Sequence, residues 1–121
     1  MDIGTLLAQA EQAAAAYRHA IAANASARIR KGEAKLALET AKDEITLALD
    51  TPEALKAYGS NAEQRAARLA LDTAALAAEL RESERAVIMA ETKAEAEERQ
   101  AGIQAELVGH KVKIAVILAR V

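Results

Sequence analysis

The chain has 121 residues and 52% of them are hydrophobic, yet Ala alone fills 33 positions, Phe and Trp are absent and Pro occurs once. That is the composition of long helices; it argues against a β fold, and the length fits one domain with too little large apolar material to enclose a deep active-site cavity. Lys and Arg total 16 against 18 Asp and Glu, so the net charge of −2 demands neither nucleic acid nor an anionic membrane, and the lack of Cys removes disulfides, thiol nucleophiles and Cys-based zinc sites.

The opening Met1-Asp2-Ile3-Gly4-Thr5 lacks the basic and apolar regions of a signal peptide. No later stretch approaches the roughly 18 apolar residues of a membrane span. The expected setting is cytoplasmic, with no membrane partner. From Thr5 to Asp50 no Pro interrupts, and apolar residues recur at helical spacing: Ile3, Leu7, Ala10, Ala14, Tyr17 and Ile21, then, after a phase shift, Ile29, Leu36, Leu38, Ile45 and Leu49. One long amphipathic helix is predicted over about 3–50, with a bend at Gly32 near the shift.

The run Asp50-Thr51-Pro52-Glu53 ends that helix, because Pro52 lacks an amide proton and disfavours helical geometry at Thr51. The same run opens a short helical turn with Thr51 as cap and Pro52 at its first position, closed by Gly59. Ser60-Asn61-Ala62-Glu63 then reads as a capping box, with Ser60 taking the Glu63 amide and Glu63 reaching back. The connection is therefore 51–60, and a second helix is predicted over about 61–119. Its seam, Leu69, Thr73, Leu76, Leu80, Ser83, Val87, Ala90 and Ala94, steps by threes and fours and continues through Ala101, Ala105, Val108, Val112 and Ala115. The expected fold is all-α: a long antiparallel helical hairpin of coiled-coil type in a single domain.

A seam filled largely by Ala buries little apolar area. At about 25 cal/mol per Å² this is a weak return against ~1–2 kcal/mol of backbone entropy per ordered residue. Two hairpins pairing into a four-helix bundle would bury a second face of each helix, so a homodimer is expected. The focus of that association is the run from Val112 to Val121, which as a helix is apolar almost all round. Val112, Ile114, Val116, Ile117, Leu118 and Val121 are the candidate self-association or docking residues. The same residues alternate at period two and are rich in β-branched types, which leaves a strand after Gly109 as the alternative.

Chemistry is sparse. His19 and His110 stand one in each long helix, and neither falls in the Glu-x-x-His spacing of di-iron bundles. Glu106 and His110 share a helix face but make half a metal site at most. The acidic cluster Glu91, Glu95, Glu97 and Glu98 reads as a solvated face with internal pairs such as Glu95 to Arg99. Gly102 and Gly109, seven apart on one face, suit a close helix contact or a weak point better than a phosphate loop. No catalytic, metal or cofactor-binding residue is expected, and the chain does not read as an enzyme. The best nucleic-acid candidate is the basic cluster Arg28, Arg30, Lys31 and Lys35, opposed only by Glu33 and lacking an aromatic platform.

The densest motif is Tyr58-Gly59-Ser60-Asn61-Ala62-Glu63-Gln64-Arg65, placed between two long helices. It resembles a group of small helical-hairpin proteins of bacteriophages and prophages, in which a Gly-x-Asn-Ala-Glu-x-Arg turn joins two extended helices. The resemblance implies an accessory role connected with phage replication or recombination. Without it, each residue still has a structural reason to be there, since Pro52, Gly59, Ser60 and Glu63 shape the turn. Arg65 can pair with Glu63, Glu53 or a carbonyl at the end of helix one. The functional expectation is a non-enzymatic interaction or accessory protein, with nucleic-acid binding through the basic cluster as the alternative.

Overall fold

A computed structural model describes residues 2–120, and its helices run α1 (Ile3–Ala48), α2 (Pro52–Tyr58), α3 (Ala62–Asp72) and α4 (Ala74–Arg120). The fold is all-α, and the long helices α1 and α4 pack as a pair. Two compact units divide the chain. One combines the chain up to Ser26 with the chain from Ile88 onward; the other is Ala27–Val87.

Asp2 opens α1 as its cap: its Oδ1 accepts from the Thr5 amide at 2.7 Å. Hydrogen bonds from Thr5 to the ionised form hold the Asp2 carboxyl below the usual carboxylate range. α1 then continues without interruption through Gly32 to Ala48. A series of buried and half-buried positions steps by threes and fours over the whole length, flanked near its start by half-buried Gln9, Ala14 and Ala16: Ile3, Leu6, Ala10, Ala13, Tyr17 and Ala20, and on through Asn24, Ala27, Lys31, Ala34, Leu38, Ala41 and Ile45. The expected phase shift is absent. Leu7, Ile21, Ile29 and Leu36 are exposed, and the seam takes Leu6, Ala20, Ala27 and Ala34 instead. From Ala13 to Ala41 every seventh residue of the seam is Ala, which lets a partner helix approach the backbone closely.

In the unit Ala27–Val87 the turn forms as a chain of local bonds. Thr51 caps α2, its Oγ1 accepting from the Ala54 amide at 3.1 Å, and Pro52 takes the first helical position as expected. Gly59 ends α2 with its amide donating to the Leu55 carbonyl at 3.1 Å. The cap that opens α3 lies one residue later than the Ser60–Glu63 box. Asn61 Oδ1 accepts from the Gln64 amide at 2.8 Å, and Gln64 Oε1 accepts from the Ser60 amide at 3.0 Å and from the Ser60 hydroxyl. Glu63 keeps only a place in the first turn of α3, where its charge complements the helix dipole.

The second long stretch is interrupted once, at Thr73, where φ −109° and ψ 10° depart from helical values. Thr73 is 3% exposed, and its hydroxyl donates to the Leu69 carbonyl at 2.8 Å. That bond satisfies a buried polar group locally and is the kind that bends helices. The Thr73 carbonyl still accepts from the Ala77 amide at 3.0 Å, so α4 follows without a loop. Along α4 the seam is Leu76, Leu80, Ser83, Val87, Ala90, Ala94, Glu97, Ala101, Gln104, Val108 and Ala115. Gln104 takes the place expected for Ala105, and Val112 is exposed. Residues 110–120 are helical, which removes the strand alternative for them.

Candidate functional site

Three groups of residues were singled out by sequence, and their surroundings differ. At the turn, two arginines close the connection. Arg65 Nη1 donates to the Gly59 carbonyl and Arg68 Nη1 to the Ala57 carbonyl, each at 3.1 Å. Arg65 therefore finds a carbonyl at the end of α2. Above Ala57 the Arg68 guanidinium lies 4.6 Å from the centre of the Tyr58 ring, within cation–π range. The Tyr58 hydroxyl donates to Asp72 Oδ2 at 2.8 Å, and Arg68 Nε stands 3.9 Å from the same oxygen. Desolvation and then the Asp72 contacts raise the Tyr58 pKa above that of a free phenol. A hollow of about 180 Å³ is lined by Ile45, Leu49, Leu55, Tyr58, Arg65 and Leu69 among others. These bonds are spent between α2 and α3, which marks the turn as a structural joint.

The basic cluster is split between two sides of α1. Arg28, Lys31 and Lys35 lie within about 60° on one side of α1, while Arg30 is roughly 200° round the helix from Arg28. Arg28, Arg30 and Lys35 are exposed, and Lys31 is half-buried at a seam position. Three of the four cations therefore share one side, with Lys31 partly covered and Arg30 turned away.

The terminal run presents the opposite picture. Val112, Ile114, Val116, Ile117 and Leu118 are 43%, 51%, 46%, 62% and 68% exposed, and in this run only Ala115 is half-buried. Val121 lies outside the described residues. Upstream on the same helix Ile88, Met89, Ile103 and Leu107 are also exposed. Sequence reasoning placed the apolar surface at 112–121 and missed this extension. The signal was the pair of large side chains at Ile103 and Leu107, both off the seam register. Between them and the terminal run lies a hollow of about 250 Å³ lined by Glu106, Gly109, His110 and Lys113.

His19 and His110 are both exposed. Among the described residues no group of three or more His, Cys, Asp or Glu is placed to hold a metal ion. Among them also no helix is long and apolar enough to cross a membrane. No protein family, curated protein or solved structure matches the chain.

Proposed function

We propose that the chain is a non-enzymatic interaction protein that works as a homodimer, two hairpins joining as a four-helix bundle of coiled-coil type. In the reading suggested by its turn motif, it serves as an accessory factor linked to phage DNA replication or recombination. The observation that carries the association is the outer surface of α4, where five large aliphatic residues between Val112 and Leu118 stay exposed while the adjacent seam position holds only Ala115. Contiguous apolar surface of this kind is rarely left to water on a monomer. The seam strengthens the argument, because Ala, Asn24, Lys31, Ser83, Glu97 and Gln104 occupy many of its positions and contribute little apolar burial.

Static light scattering on the full chain at micromolar concentration is expected to return twice the chain mass. A monomer that melts cooperatively would overturn the proposal, since the hairpin would then suffice by itself.

A further inference from the structure

The hollow at Gly109 lies at the middle of a helix face that is complementary to itself. We propose that a second copy of this chain packs antiparallel on the face of α4 centred between Gly109 and His110; the proposal rests on the self-association argued above and names its surface. The positions concerned fall within about 140° of the helix circumference. A two-fold axis through that centre sets each residue against the one equally far on the other side. Glu106 of one copy then meets Lys113 of the other, and the reverse, giving two opposite-charge pairs. Gly109 then stands level with His110, Ile103 with Val116 and Gly102 with Ile117. Each glycine is then level with a large side chain, and Glu106 and Lys113 each meet their opposite charge.

Independent features of the surface agree with this pairing. Gly is the least favourable helix residue after Pro, yet α4 carries two. A β-carbon at Gly102 or Gly109 would meet nothing within 4 Å, so packing within the chain itself requires neither glycine. The hollow of about 250 Å³ beside Gly109 has room for a side chain, and its rim is formed by Glu106, His110 and Lys113. Ile103, Val116 and Ile117 are 53%, 46% and 62% exposed, ready to be covered. With the stems of Glu106, His110 and Lys113 they offer an interface on the order of 1,000 Å² counted over both copies, near the lower bound for a specific complex. A parallel arrangement would instead set Glu106 on Glu106 and Lys113 on Lys113, a like-charge pairing that opposes association. The face ends where Arg99 would meet Arg120, two long side chains that can turn outward to water.

The test is sedimentation equilibrium on the full chain and on charge variants, with circular dichroism to check that helix content is unchanged. Glu106→Lys alone and Lys113→Glu alone each place like charges in both symmetric pairs and should weaken dimerisation by roughly tenfold or more. An equimolar mixture of the two variants restores both attractive pairs and should dimerise like the original chain, as should the double swap. If the original chain is a dimer but the single variants match it, this face is wrong while self-association stands. If the singles weaken the dimer and neither the mixture nor the double swap restores it, the antiparallel pairing is wrong. An original chain that stays monomeric up to about 100 µM overturns this surface together with the reading on which it rests.

Discussion

Gly59 shows how a glycine can be required for space rather than for conformation. Its φ of −179° and ψ of 145° describe extended backbone open to any residue. What excludes a side chain is the start of α3: a β-carbon here would stand 2.7 Å from the Arg65 amide nitrogen, 2.8 Å from Arg65 Cγ and 3.0 Å from the Gln64 carbonyl carbon. Two of those atoms are backbone and cannot swing aside. Gly59→Ala is therefore expected to destabilise by about 1–3 kcal/mol, read as a lowered urea midpoint, because the α2–α3 joint must open to admit the methyl group. Replacement by Asn should cost as much, whereas a requirement for left-handed geometry would make Asn the better tolerated of the two. Equal losses for Ala and Asn support the spatial account; a clear advantage for Asn would contradict it.

Among the elements, the locally determined features were legible in the sequence. Thr51 and Pro52 open α2 through bonds within four residues, so nothing distant competes with them. The start of α3 was legible only to within one residue, because Ser60-x-x-Glu63 and Asn61-x-x-Gln64 overlap and both satisfy the capping pattern. The later register wins in a turn where Arg65 and Arg68 reach the carbonyls of Gly59 and Ala57. The seam of α1 was less legible. A hydrophobicity pattern favours Leu7 over Leu6 as readily as the reverse and prefers Ile21 to Ala20, whereas packing selects the small residue that admits a neighbouring backbone. The outer surface of α4 beyond 112–118 was hidden for the same reason, since Ile103 and Leu107 become visible as a second surface only once the seam register is fixed.

Ser83 tests that register. It sits in the seam at 1% exposure, and its hydroxyl has no hydrogen-bond partner among the described residues. A buried hydroxyl without a partner loses its hydration and gains nothing in return. Ser83→Ala is thus expected to raise stability by about 1 kcal/mol in a denaturant titration, against the usual cost of altering a buried position. A loss of similar size would mean that the hydroxyl is bonded and the seam is differently seated.

At the scale of the whole molecule, the proposed self-association links association to folding, and the glycines separate the two. Gly32, like Gly102 and Gly109, has open space where its β-carbon would be. Gly32→Ala therefore improves helix propensity and touches nothing, for a gain of about 0.5–1 kcal/mol that does not depend on protein concentration. Gly109→Ala gains the same propensity in a lone hairpin, but it fills the hollow into which a second copy would set His110. Because a partner that binds only the folded chain stabilises it by mass action, the two effects carry opposite signs and different concentration dependence. Thermal melts followed by circular dichroism at about 1 µM and 100 µM should show Gly32→Ala raising Tm by a few degrees at both. For Gly109→Ala the gain should survive at the lower concentration and shrink or reverse at the higher one, where dimer dominates. If both substitutions raise Tm equally at both concentrations, the hollow at Gly109 stays open in solution and its glycine is only a weak point in the helix.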